Sequence, residues 1–394
     1  MRAYRLVLLL CLLAPAATAQ VPDSEPAPDR QKAPEPPAER GARWRTSWFP
    51  YLTGGANDGP VLTFRVRHWQ AAEYEARTTH TAAFNADAGI APEGSRFVSA
   101  SFKAPGLWDG WRLAAQAILE RQARYGYFGL GNETTYDKNA DSDAVPFPYR
   151  VRRTRYRAAV ELTRRVRGPL QVALLAEFVH ARFTSLPGPS AFVADFPVGE
   201  LKQDDFSGRL ALIYDTRDNE FNTHKGVLLE AGTQVGSGGD GYTREYVVLR
   251  GYLPVREGTT VAARIAGSGI GGTPSLDARF ALPGWEKPIA TFGGEPSHRG
   301  LKYGRFTGRG TLFGNLEVRH DLLPFGDLGA VTLLAFVDAG RVFEQESFSL
   351  TTEHMKVGGG GGVAVRVLRS SIFTFNLAGG PDGFNFSVGS GWMF

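Results

Sequence analysis

Apolar and polar positions alternate along the last eleven residues, FNFSVGSGWMF. Phe384, Phe386, Val388, Trp392 and Phe394 share one parity, and Asn385, Ser387, Gly389 and Gly391 share the other. A period of two predicts a strand with two unlike faces. The pattern recurs upstream. Val331, Leu333, Ala335, Val337 and Ala339 oppose Thr332, Phe336 and Asp338. Leu312, Leu316 and Val318 oppose Asn315, Glu317, Arg319 and Asp321. Tyr156, Ala158, Val160 and Leu162 oppose Arg153, Arg155, Arg157, Glu161 and Arg165. Sixteen strands are predicted, near 46–55, 60–69, 75–88, 95–104, 111–125, 150–166, 170–183, 206–216, 226–236, 242–254, 259–270, 309–322, 329–342, 355–368, 371–379 and 384–394.

Two architectures fit such faces. In a soluble sandwich the apolar faces share a core and the charged faces meet water. In a transmembrane barrel the apolar faces meet lipid and the charged faces line a wet interior, where the two signs can pair. Periodicity alone does not choose. An even strand count places both termini on one side, and the connections alternate accordingly. Turns on the terminal side are short, as at Arg167-Gly168-Pro169; long loops fall near 126–149, 184–205, 271–308 and 343–354. The aromatic-faced last strand also favours lipid. By this parity Trp392, Phe394 and Ser390 all point into the bilayer.

The start of the chain agrees. Arg2 and Arg5 precede an apolar run from Leu6 to Leu13, and Ala17-Thr18-Ala19 forms a small-x-small cleavage site. Residues 1–19 thus read as a signal peptide. Residues 20–45 carry prolines and mixed charge with almost no large apolar side chain, and read as an extended periplasmic tail. Residues 46–394 read as one barrel domain, in the outer membrane after leader cleavage. The only cysteine, Cys11, lies in the leader, so the predicted mature chain has no thiol for a disulfide, a metal or catalysis. Glycine is abundant, at 48 of 394 residues, and aromatics reach 12%, as suits a barrel wall with interfacial girdles. No apolar run after the leader is long enough for a membrane helix. A net charge of +4 gives no argument for nucleic acid.

Candidate chemistry is sparse. None of the seven histidines makes a close ligand spacing with another, so no metal is expected. No Gly-x-Ser-x-Gly elbow occurs in a strand-to-helix setting, and Gly389-Ser390-Gly391 lies within the last strand. The run Gly358 to Gly362 lacks the Lys-Ser/Thr of a phosphate loop and reads as a thinned strand against which loop material packs. No enzyme activity and no cofactor are predicted.

One ordered series carries more. Gly293-Gly294-Glu295-Pro296-Ser297-His298-Arg299-Gly300-Leu301 is followed by Asn315-Leu316-Glu317-Val318-Arg319, then by Phe336-Val337-Asp338-Ala339-Gly340-Arg341, then by the terminal Phe. With Asp215 to Gly226 (DTRDNEFNTHKG) and Tyr127-Phe128-Gly129-Leu130-Gly131-Asn132, this series resembles the BamA/TamA family of outer-membrane barrels, the bacterial surface antigen superfamily. The resemblance runs from about residue 46 to the end. It implies an all-β, 16-stranded antiparallel transmembrane barrel whose long sixth extracellular loop folds into the lumen. It also implies that Arg299-Gly300-Leu301 is the tip of that loop, with Glu317 and Asp338 as its partners. Parity independently puts both carboxylates on the lumen face. Leu301 departs from the family, which has an aromatic there. Only residues 20–45 precede the first strand, so the chain resembles the barrel without polypeptide-transport-associated domains. Phe384, Phe386, Trp392 and Phe394 correspond to the terminal-strand signal.

The resemblance implies a role in inserting or translocating proteins or lipids through a seam between the first and last strands. Pro50 and Gly54-Gly55 weaken the first strand's ladder there. Expected partners are outer-membrane lipids, with unfolded barrel substrates or a periplasmic protein as clients of a monomeric barrel. A passive channel, and an anchor for a periplasmic partner, are the alternatives.

Overall fold

The computed structural model describes residues 43–55, 59–73, 76–284, 288–344, 351–367 and 371–394. The leader with Ala17 and Ala19, and the proline-rich tail up to residue 42, lie outside the described residues. Sixteen strands follow one another: β1 (Trp44–Gly55), β2 (Gly59–Ala71), β3 (His80–Ile90), β4 (Arg96–Trp108), β5 (Trp111–Gly126), β6 (Arg150–Arg167), β7 (Leu170–Ser185), β8 (Glu200–Asp215), β9 (Gly226–Gly236), β10 (Gly241–Arg256), β11 (Thr259–Thr273), β12 (Gly310–Pro324), β13 (Gly329–Phe343), β14 (Lys356–Val367), β15 (Ser371–Gly380) and β16 (Gly383–Ser390). Each pairs antiparallel with its neighbours in one sheet, in sequence order. Among the described residues no ladder joins β16 back to β1.

The two faces decide between the architectures. The face holding Leu210, Leu212, Leu249, Leu316, Val337 and Leu377 is exposed, whereas Arg209, Gln234, Arg244, Arg250 and Arg264 on the other face are buried. That is the inverse of a soluble sandwich. The sheet curls so that its polar face is concave, and residues far apart in strand order meet across it. Arg112 on β5 reaches Glu220 in the β8–β9 turn at 2.7 Å, and Trp392 reaches Asn222 in the same turn at 2.8 Å.

Short turns lie at the end that carries Trp44, as at Asp109-Gly110 and Glu257-Gly258, where both glycines adopt positive φ. The other end carries the long connections. Two hold short helices, α1 (Ala191–Asp195) and α2 (Leu276–Phe280), capped by Ser190 and Ser275. Some boundaries differ from the sequence reading. β1 begins at Trp44 rather than after the tail, β3 begins at His80, and β8 extends back to Glu200.

The largest correction is at the C-terminal end. Phe384 and Phe386 face outward, at 81% and 68% exposure, but β16 ends at Ser390. Gly391 then takes a φ of +92°, and the alternation breaks there. Trp392, Met393 and Phe394 turn inward and are buried, rather than pointing into lipid. Polar partners draw them in. The Trp392 indole donates to Asn222, and Phe394 sits within 4.9 Å of the Arg264 guanidinium and 5.5 Å of that of Arg319. An indole N–H and an aromatic face over two cations are better satisfied there than in hydrocarbon.

Candidate functional site

The connection between β11 and β12 enters the concave side. Its tip is a tight turn. Gly293 and Gly294 have φ of +105° and +80°, and the Ser297 hydroxyl accepts from the Gly293 amide and donates to the Thr291 carbonyl, both at 2.8 Å. This geometry delivers His298, Arg299 and Leu301 to the inner wall, all three buried.

Arg299 meets the wall at β12 and β13. Asn315 pairs with Asp338 and Glu317 with Phe336 in the β12–β13 register, so the two carboxylates are diagonal neighbours on one face. The Arg299 guanidinium lies over the Phe336 ring, 3.4 Å from its centroid, and spans both acids. Its Nε and Nη2 donate to the two Asp338 oxygens at 2.9 Å, its amide donates to Asp338 Oδ2 at 2.9 Å, and Nη1 donates to Glu317. A planar fork suits this bidentate arrangement; an ammonium would not reproduce it. Burial works against the Arg299 charge, but the carboxylates outweigh it and hold its pKa above the ordinary arginine value.

The contacts extend both ways. Asn315 Nδ2 donates to Asp338 Oδ1 and to the Ser297 carbonyl, each at 2.8 Å. Arg264 donates to Asn315 Oδ1 at 2.8 Å and to the Pro296 carbonyl at 2.9 Å. Arg319 donates to Glu317 at 2.6 Å and to the Phe394 carbonyl at 3.1 Å. The loop tip and the inturned C-terminal segment thus share one buried network. Buried charges are tolerated when each is paired and bonded, and this network meets that condition for both acids.

Gly300 explains part of the glycine run. A Cβ on it would lie 2.7 Å from the Gly379 carbonyl and 3.1 Å from the Gly358 Cα. Backbone thus packs on backbone where β14 and β15 are bare. Next to it, His298 Nε2 donates to the Lys356 carbonyl at 3.0 Å. Burial lowers the His298 pKa, so the ring is neutral near neutral pH. Leu301, where the family places an aromatic, packs in an apolar cluster with Phe292, Phe306 and Phe313. Further along the loop, Arg305 donates to Asp382 in the β15–β16 connection at 3.0 Å and to Thr134 in the loop after β5 at 2.7 Å.

Parity had put Glu317 and Asp338 inside, and the structure brings both to Arg299. Arg264 and Arg305 were not singled out in the sequence. Arg264 was within reach, since it shares parity with the buried Ala262 and Ala266 of β11. Arg305 has no periodic context. Tyr127 and Asn132 of the second family stretch are also buried; Tyr127 donates to Asp195 at 2.7 Å and Asn132 accepts from the Val342 amide at 3.1 Å.

The rest of the concave side is different. A cavity of about 740 Å³ lies against β2 to β6, lined by Arg65, Arg67, Lys103, Arg112 and small residues such as Ala83, Ser99 and Ser101. Among the described residues no group of three metal-ligating side chains occurs.

Lipid-facing apolar strands around a polar, partly filled interior define an outer-membrane β-barrel. The Omp85 superfamily domain matches residues 80–392, and the chain belongs to that superfamily. Comparison with curated proteins finds no match. Among solved structures the chain is similar to BamA from Haemophilus ducreyi lacking POTRA domains 1–3, with a TM-score of 0.57 and 13% identity over 89% of this chain and 70% of that one. It is similar to CdiB from Escherichia coli, with a TM-score of 0.55 and 13% identity over 87% and 61% of the two chains. CdiB from Acinetobacter baumannii gives a TM-score of 0.51 and 12% identity over 88% and 59%. The chain therefore spans less than two thirds of either CdiB. At these identities the likeness is one of fold.

Proposed function

We propose that this barrel, secreted by its leader and cleaved after Ala19, assists the insertion or translocation of polypeptide or lipid at the outer membrane. The seam between β1 and β16 is its working part. One observation carries the reading: no ladder joins these strands among the described residues. β16 has eight residues against twelve in β1, and the chain beyond Ser390 leaves the wall. Unpaired strand edges are templates for another strand. The Arg299 network holds the loop on β12 and β13 and ties down the segment after β16, so that opening falls on the β1 side of the seam.

The cavity of about 740 Å³ favours a second reading, a passive channel with charges that select solutes. One preparation separates the two. The mature chain is folded into liposomes, and insertion of a second, unfolded barrel is followed beside ion conductance. Cys11 lies in the leader, so cysteines placed in β1 and β16 form the only disulfide of the mature chain. Acceleration abolished by that disulfide and restored by reductant supports the seam. Steady conductance without acceleration supports the channel and discards the seam.

A further inference from the structure

The outward face of β4, β5 and β6 carries an arrangement that the wall alone does not explain. Arg96 at the start of β4 stands directly opposite Arg121 on β5 in the ladder, and Arg121 stands opposite Thr154 on β6. Like charges directly opposed across strands are destabilising unless something neutralises them. Arg152 lies two residues from Thr154, on the same face. Among the described residues none of these three arginines has a carboxylate partner, and the Nε atoms of Arg121 and Arg152 are buried without an acceptor. The nearby acids are engaged elsewhere: Glu120, which also lines the adjoining groove, by the inward-facing Arg155 at 2.6 Å, Glu93 by Arg124 at 2.7 Å and Glu200 by Arg182 at 2.9 Å.

Next to the opposed pair, on the lipid side, a groove of about 770 Å³ is lined by Leu62, Phe64, Ile90, Val98, Leu119 and Tyr156, together with Arg96 and Arg121. The register places the arginines, level with Leu62 and Ile90, at the end of the wall that carries the long loops, and Phe64, Val98, Leu119 and Tyr156 one step toward mid-strand. A ligand that fits both parts has an anionic head with several acceptor oxygens and an apolar body lying along the strands. We propose that this face holds a phosphorylated, multiply acylated lipid of the surrounding leaflet. Its phosphate would be shared between Arg96 and Arg121, with Arg152 alongside. Arginine forks bind phosphate bidentately through charge-assisted hydrogen bonds. The three arginines lie on β4, β5 and β6, away from β16 and from Arg299 and its partners.

The test uses the full barrel, purified in detergent and incubated with lipid A, with lipid retention read by native mass spectrometry. The expected result is retention of lipid A, with the dephosphorylated form bound about tenfold more weakly. The triple variant Arg96→Gln/Arg121→Gln/Arg152→Gln is expected to lose a similar factor while keeping wild-type mobility on a semi-native gel. If the triple variant does not fold, the comparison of the two lipids on the wild-type protein still decides. Equal retention of both lipids, or unchanged binding by a folded triple variant, overturns the proposal. So does displacement of lipid A by millimolar inorganic phosphate, which would make this a site for soluble anions.

Discussion

Against β11 to β15, the barrel interior is occupied. Arg299 is shared by Asp338 and Glu317, Gly300 lies on bare backbone, and Leu301 fills an aromatic cluster. Against β2 to β4 it is hollow, and an ion pair such as Arg65–Asp87 at 2.6 Å runs along the wall; pairs that cross to a turn or loop begin only at β5 and β6, with Arg112–Glu220 at 2.7 Å and Arg153–Asp277 at 2.9 Å. The same inward parity thus produces two outcomes. Small side chains leave room in both places; in one, a loop with a fitted cation takes the space. The comparison teaches that a charged inner wall is not itself a structural element. It becomes one where a second segment closes its charges off from water.

The sharpest way to break this contrast is Arg299→Ala. Among the described residues it removes the only cation on the buried Asp338 and one of two on Glu317, leaving them Asn315 and Arg319 respectively, and is expected to cost about 3–5 kcal/mol. Lower heat resistance on a semi-native gel, with faster proteolysis between 285 and 305, would report it. Gly300→Ala forces a methyl against the Gly379 carbonyl, at about 1–3 kcal/mol, read by the same gel and by urea unfolding in vesicles. Trp392→Phe keeps the ring but removes the bond to Asn222. Its expected cost is about 1 kcal/mol, and faster carboxypeptidase release of Phe394 would show the segment more open. In the hollow half, Arg65→Ala removes a pair whose arginine is one-third exposed, so a loss of at most about 1 kcal/mol in urea unfolding is expected. If it cost as much as Arg299→Ala, the distinction between the halves would collapse.

The smallest effect is a pH dependence. Burial lowers the His298 pKa below its ordinary 6.5, so the unfolded chain binds a proton more readily. The contribution of the neutral ring is complete above about pH 6.5 and is lost as pH falls toward the folded value. His298→Gln, which keeps a donor for the Lys356 carbonyl, is expected to flatten the unfolding midpoint between pH 7 and pH 5 by a few tenths of a kcal/mol, within the range of single mild substitutions.

The strand count and the facing of the wall were legible because each strand repeats its signal over ten or more residues, and lipid enforces the parity. Asp338 and Glu317 were placed inside for the same reason. What could not be read lies where periodicity stops. Gly391 ends the last strand with one backbone torsion, and Trp392 and Phe394 then take the opposite environment from their parity. Helices α1 and α2 span five residues each, too short to show a helical period, although their serine caps are ordinary start signals. Arg305 reaches Asp382 and Thr134 across long sequence separations, and no local pattern encodes such a contact.

The strut from Arg299 to β12 and β13 also has a mechanical consequence. A ring braced on one arc and empty on the other is stiff where the brace bears and compliant elsewhere. When the surrounding bilayer thins or its lateral pressure changes, the arc from β1 to β4 will take up the change in shape, while β11 to β15 keep their curvature. Spin labels across each arc, compared in thin and thick bilayers, would measure how unevenly the wall yields.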